Sequence, residues 1–160
     1  MSNPEFRVKS VSASSLHDLR RRVLRGNRPD AVVADARDDE ETSLHVAGFL
    51  DGQLVVSSSF YLSTPPKNEH LVTSQLRYMA TDFDAQGRGY GAIVLEAAGE
   101  MLRERGVEQL WANARDTALG FYLATGWSAI EGSEHLSAET QLPHTVIYKL
   151  LTDETQTASG

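Results

Sequence analysis

The junction Gln86-Gly87-Arg88-Gly89-Tyr90-Gly91 constrains this chain most, because it joins a strand pattern to a helical one. Upstream, Leu71 to Thr81 reads as a strand. Downstream, from Gly89 to Arg105, Val94, Ala97, Ala98, Met101 and Leu102 fall on one stripe, with Glu96, Glu100, Arg103 and Glu104 elsewhere. That is the spacing of an amphipathic helix. Arg103 and Arg105 suit the negative end of its dipole, and Gly106 suits the position just past its last turn. The glycines let the main chain turn sharply and bring its N–H groups close to a ligand without a Cβ in the way. The opening of the helix adds unpaired donors and partial positive charge, so the junction reads as a phosphate cradle. Arg88 supplies a formal charge for the same anion. Taken by itself, the junction fits a plain strand-to-helix turn equally well.

The class of phosphate compound narrows on two absences. No Gly-Lys-Ser/Thr is present, so the junction is not a nucleotide-hydrolysing P-loop. The glycines run G-x-G-x-G, and no acidic residue follows on a short strand about 20 residues on, as dinucleotide binding requires.

Around this unit the chain alternates between two periods. Phe6 to Val11 alternates apolar and polar residues as a strand does. Leu16, Leu19, Val23 and Leu24 then have helical spacing, with Ser14 or Ser15 as the cap and Gly26 and Pro29 as the stop. That helix carries Arg20, Arg21, Arg22 and Arg25, most of them read as a solvated face. A role for one or two in lining a substrate or phosphate site is the other reading. Residues 28–42, with the acidic run Asp38-Asp39-Glu40-Glu41, read as a loop or a short irregular helix. Leu44 to Leu50 and Leu54 to Leu62 read as strands joined by an Asp51-Gly52 hairpin turn. Val107 to Ala112 is a further strand, and Asp116 or Thr117 caps a short helix ended by Gly126. Trp127 to Ile130 and Thr145 to Leu151 are the last strands. The order β-α-β-β-β-α-β-α-β-β predicts one mixed α/β domain over residues 1–151, its sheet largely antiparallel, with residues 152–160 as a frayed tail.

Composition excludes several functions. With 160 residues, 41% of them hydrophobic and 23% charged, the chain is long enough to bury a sizeable core. It has no cysteine, so no disulfide, thiolate metal site or acyl-cysteine step is expected, and no metal site is read. The 15 basic and 22 acidic residues give a net charge of −7, which argues against nucleic acid as a partner and is compatible with a cationic substrate. No apolar run approaches the roughly 18 residues of a membrane span. The expectation is a cytoplasmic protein with no membrane partner.

Leu76-Arg77-Tyr78-Met79-Ala80-Thr81-Asp82 followed by the Gln86 to Gly91 cluster resembles the acetyl-CoA-binding motif of the GNAT N-acetyltransferase superfamily. In that motif a strand precedes Gln/Arg-x-x-Gly-x-Gly/Ala, met here by Gln86, Gly89 and Gly91. The stretch from Asn113 to Trp127, with Phe121-Tyr122 before Gly126-Trp127, looks like the second signature of the family. The resemblance implies a GNAT-like, largely antiparallel sheet of six to seven strands flanked by helices and splayed between the fourth and fifth strands. It implies acetyl-CoA as co-substrate, its pyrophosphate on the amides of Gln86, Gly87, Arg88, Gly89, Tyr90 and Gly91, with Ala92 next along. Its pantetheine arm would lie along Met79, Ala80 and Thr81. An amine of a small molecule or protein would attack the thioester directly, and Tyr122 occupies the position of the family's general acid. Where many members carry an asparagine that contacts CoA seven residues before the tyrosine, this chain has Arg115, with Asn113 two residues earlier. Homodimers are common in the family, so a dimer is a further expectation.

No single general base is readable. Glu69, His70, Asp82, His45 and His144 qualify by residue type, and a water chain would serve instead. The reading from another class is a catalytically silent acyl-CoA-binding sensor or interaction module.

Overall fold

A computed structural model describes residues 5–138 and 140–151; the tail expected at 152–160 lies outside the described residues. Eight strands lie in the order β1-β2-β3-β4-β5-β8-β6, with β7 paired to β8. They are β1 (Phe6–Ser10), β2 (Leu44–Leu50), β3 (Gln53–Leu62), β4 (Thr73–Thr81), β5 (Gln109–Arg115), β6 (Ser128–Ala129), β7 (His135–Leu136) and β8 (Pro143–Leu150). The sheet is mostly antiparallel, with one parallel pair, β4 and β5. The fold is mixed α/β, as expected. The count exceeds the expected six to seven because of β7, a two-residue strand that lies where no strand is read from the sequence; β6 falls within the expected strand Trp127 to Ile130.

The chain forms two compact units, Met1–Tyr61 with Leu76–Met101, and Leu62–Gln75 with Leu102–Gly160. In the first, β1 runs antiparallel to β2 from Phe6 opposite Leu50 to Ser10 opposite Val46. The β2–β3 hairpin turns through Asp51 and Gly52 at φ 48° and 84°, left-handed angles that an Asp-Gly pair tolerates and a tight hairpin needs. Val55 to Tyr61 of β3 is buried without a break. Helix α2 (Tyr90–Glu104) buries Val94 and Ala98 of the stripe read from the sequence, and Leu95, which is not read as part of it. Gly48 of β2 is where β1, β2 and α2 meet: a Cβ there would stand 2.5 Å from Cζ of Phe6 and 2.9 Å from a methyl of Val94.

The first helical segment departs from the sequence reading. It is a 3-10 turn (Ala13–Leu16), one α-turn, α1 (His17–Leu19), and a π-helical stretch (Arg20–Leu24). No serine side chain caps it.

In the second unit, the parallel ladder joins Thr73–Gln75 of β4 to Gln109–Trp111 of β5 and covers only these three residue pairs. β5 pairs along its full length with β8, from Gln109 opposite Leu150 to Arg115 opposite His144. Gln109 is fully buried; its Nε2 donates to the Lys67 carbonyl at 2.8 Å, and its Oε1 accepts from Asn68 at 2.9 Å. These bonds pin the segment that leads into β4. Helix α3 (Asp116–Ala124) follows β5 directly. No helix among the described residues is long and apolar enough to cross a membrane.

Candidate active site

β4 delivers the chain to the glycine junction. After Thr81 a short 3-10 turn (Phe83–Ala85) leads into an exposed loop, and α2 opens at Tyr90. Gly87 and Gly89 have φ of 78° and 85°, and a Cβ at either would meet nothing within 4 Å. Backbone conformation therefore selects glycine at both positions, and the space above them is open to a ligand. The loop is tied down by Gln86, whose Nε2 donates to the Thr81 carbonyl at 2.9 Å, and by Arg88, whose Nη2 donates to the Asp84 carbonyl at 3.1 Å. The first backbone bond into the helix is Ile93 N–H to the Gly89 carbonyl at 3.3 Å. Ahead of it, the amides of Gly87, Arg88, Gly89, Tyr90, Gly91 and Ala92 donate to no acceptor among the described residues. A row of open donors at the positive end of a 15-residue helix is suited to a diphosphate.

The loop's surroundings are arranged to tolerate an anion. Asp82 is held by both guanidinium nitrogens of Arg22 at 3.1 and 3.0 Å. These hydrogen bonds outweigh partial burial and keep its carboxyl below the usual range. Its negative charge is thus paired, and so is Asp18, which bonds Arg21 and Arg22.

β4 itself is bent one residue before Met79. Tyr78 has φ 57°, an outlier for a bulky residue, and its carbonyl accepts from Ser57 Oγ at 2.8 Å. Met79 and Thr81 are half-buried and Ala80 is buried.

Behind Tyr78 lies a polar network that sequence reasoning missed. Arg20, assigned with its neighbours to a solvated face, is fully buried. It donates to the Val33 carbonyl at 2.8 Å, to Asp38 at 3.0 and 3.3 Å, and to Ser59 Oγ at 2.7 Å, and its guanidinium lies 4.0 Å from the Tyr78 ring centroid. Asp38 also accepts from the Asp35 amide and the Tyr61 hydroxyl. Burial pushes the Asp38 carboxyl up, but the bonds from Arg20, Asp35 and Tyr61 prevail and hold it well below its ordinary value. Burial and the bond to Asp38 push the Tyr61 phenol up. A signal was present: Arg20 stands four residues after Leu16 and three before Val23, on the apolar stripe and not beside it.

Among the expected bases, His45 is buried with both ring nitrogens bonded, Nδ1 to Ser59 Oγ at 2.7 Å and Nε2 to the Asp38 carbonyl at 2.9 Å. The carbonyl can only accept, so Nε2 carries a proton. His144 Nδ1 bonds the Leu142 carbonyl at 2.8 Å, and Glu69 and His70 are exposed in the turn before β4.

In the second unit, Tyr122 on α3 is buried, 7% exposed, with its ring edge-on to Phe121 at 5.2 Å and Trp127 at 5.4 Å. Burial pushes its phenol up, so it stays protonated through neutral pH. Its hydroxyl has no hydrogen-bond partner among the described residues. Asn113 is exposed on β5, while Arg115, half-buried, ends β5 and stands at the N-cap of α3 without a side-chain capping bond.

A family model, described as the acetyltransferase (GNAT) family, matches residues 13–127. Over 148 residues the chain is 30% identical to the uncharacterized N-acetyltransferase YitI of Bacillus subtilis, spanning 90% of this chain and 95% of that protein. The chain belongs to the GNAT acetyltransferase family. Solved structures share its fold at lower identity. One from Lactobacillus plantarum, assigned as an N-acetyltransferase, has a TM-score of 0.72 at 19% identity, over 92% of this chain and 99% of that one. An aminoglycoside 6'-N-acetyltransferase complexed with coenzyme A has a TM-score of 0.67 at 11% identity, over 92% and 98%.

Proposed function

We propose that this chain transfers an acetyl group from acetyl-CoA directly to a primary amine of a small molecule or protein, as a cytoplasmic single-domain enzyme spanning residues 1–151. The observation that carries the reading is the run of unengaged amides from Gly87 to Ala92 at the opening of α2. These donors hold the diphosphate with the Arg88 charge beside it, while Gln86, whose amide donates to the Phe83 carbonyl at 3.5 Å, sets the start of the loop. Met79, Ala80 and Thr81 of β4 present main-chain groups to the amides of the pantetheine arm, in the manner of strand addition. Asn113 and Arg115 contribute further contacts to the cofactor.

When bound, acetyl-CoA supplies an activated carbonyl and a thiolate leaving group. The chain's part is to orient, stabilise charge and move protons. The turn at Tyr78 re-aims the amides at the end of β4, and one of them donates to the carbonyl oxygen as negative charge builds there. Tyr122 holds a proton on a phenol kept neutral by burial and gives it to the departing sulfur. Water relays the proton lost by the attacking amine, consistent with the occupied ring nitrogens of His45 and the ion-paired Asp82.

The test is acetyl transfer by the purified chain to an amine panel, read as release of free CoA thiol, with calorimetry for cofactor binding. Turnover with at least one amine supports the reading. Tight acetyl-CoA binding with no acceptor used anywhere in the panel would convert it to the silent sensor.

A further inference from the structure

Two histidines on the β7–β8 pair of the second unit stand side by side, each with one ring nitrogen unengaged. His135 of β7 is directly opposite His144 of β8 in an antiparallel pair, so both side chains leave the same face of the sheet. Their ring centroids are 6.1 Å apart and the ring planes differ by 32°. Nδ1 of His135 bonds the Ser133 carbonyl at 2.9 Å, and Nδ1 of His144 bonds the Leu142 carbonyl at 2.8 Å. A carbonyl only accepts, so each Nδ1 carries a hydrogen, and in the neutral ring Nε2 keeps its lone pair. Neither Nε2 has a partner among the described residues. Both residues lie at the surface, His135 exposed and His144 half-buried.

These are the features of a transition-metal ligand. A ligating imidazole binds through one nitrogen and donates the other N–H, commonly to a main-chain carbonyl, which fixes tautomer and ring plane. Both rings are so fixed here, and in the same sense. With an ion about 2.0–2.1 Å from each nitrogen, two ring centroids fall about 5–6.5 Å apart. The observed separation lies in that range. An anion matches less well, because a neutral Nε2 offers it a lone pair and no hydrogen. The charges nearby are mixed. Arg115 of β5 stands opposite His144 on its other side, while Glu131 and Glu134 are exposed in the segment leading into β7. No hydrogen bond or ion pair fixes the Arg115 side chain among the described residues, so it can turn away from an arriving cation. No group of three or more His, Cys, Asp or Glu side chains able to hold an ion occurs among the described residues. The two rings therefore act as a pair, and water fills the other positions.

We propose that His135 and His144 bind one divalent ion of the class that prefers imidazole, Zn²⁺ or Cu²⁺, through their Nε2 atoms. A bound ion clasps β7, a strand of two residues, to β8. Metal binding here does not depend on acetyl transfer. The sequence conceals the site because only strand register brings the two rings together.

The experiment adds ZnCl2 to the full, tag-free chain, stripped with EDTA and dialysed into phosphate-free buffer at neutral pH. Calorimetry gives stoichiometry, and the histidine ring resonances give location. One ion per chain is expected, and of the five histidines the rings of His135 and His144 should shift together. CuCl2 should bind more tightly than ZnCl2, and MgCl2, which takes oxygen ligands, should move neither ring. Losing even an outer partner of a ligating histidine typically costs about 10–100-fold in metal affinity. His135→Gln and His144→Gln should therefore each weaken binding by at least about tenfold. Both should keep the circular-dichroism spectrum of the parent, since neither ring is part of the buried core. His70→Gln, an exposed site near the other end of β5, should bind as the parent does. Absence of binding with both ions, shifts confined to other histidines, or undiminished binding in either pair variant overturns the inference. So does phosphate moving these two rings while ZnCl2 leaves them unmoved, which would reassign them to an anion.

Discussion

Tyr122 carries two properties that a core aromatic on a short helix does not need together: a ring packed between Phe121 and Trp127, and a hydroxyl without a partner among the described residues. Removing the hydroxyl breaks no hydrogen bond made within the described residues. Tyr122→Phe should therefore fold at least as stably and bind acetyl-CoA within about twofold of the parent, while kcat falls by about 10²-fold or more. Equal turnover would remove the residue from the mechanism. Arg20 is the opposite kind of residue, engaged through Nη1 and Nη2 with four partners. Asp38→Asn leaves its guanidinium buried without a counter-charge, and breaking such a pair costs about 3–5 kcal/mol. Urea unfolding measures this; a loss below about 1 kcal/mol would mean that the pair is solvated.

Elements with a clear period were legible and the others were not. β2 and β3 alternate or run apolar, and an Asp-Gly pair marks their turn, so the hairpin was readable to within a residue. α2 has a stripe, a glycine-rich start and a glycine stop, and runs from Tyr90 to Glu104 against an expected Gly89 to Arg105. β7 has two residues and no period to detect. The first helical segment fits the apolar spacing but hides its π-helical stretch, since one extra residue per turn leaves the stripe nearly unchanged. The glycine loop was legible because positive φ selects glycine, whereas the network at Arg20 was not, its partners Asp38, Ser59 and Tyr61 lying 18, 39 and 41 residues away. Gly48 was unmarked for a related reason: only packing shows that Phe6 and Val94 leave no room there. Gly48→Ala should cost about 1–3 kcal/mol through overpacking, read as a lower denaturation midpoint; an unchanged midpoint would mean that Phe6 swings aside freely.

At the scale of the whole molecule, the net charge of −7 conceals local pairing. Asp35, bonded by Arg37 and Arg77 at 3.0 Å each, and Asp38, bonded by Arg20, turn their side chains inward, 8% and 6% exposed. The same buried carboxylates set the acid limit of stability. Burial raises Asp35 and Asp38, yet their arginine and amide bonds bring both below the ordinary carboxylate value. Folding is therefore favoured while they are ionised: their contribution is complete above the unfolded-chain pKa of about 3.9 and is lost as pH falls below it. The melting temperature should decline steeply below about pH 4, and less steeply in Asp38→Asn. Parallel declines in both chains would show that other carboxylates dominate.

The central claim is that main-chain donors from Gly87 to Ala92 hold the diphosphate of the cofactor. It is tested most directly by following backbone amide resonances of the 15N-labelled chain as CoA is added, with Gly89→Asp as the control. The largest shifts should fall on Gly87 to Ala92, and the variant should keep its spectrum elsewhere while no longer responding. Saturation with CoA that leaves those amides unmoved, or an unaltered response in Gly89→Asp, would contradict the account.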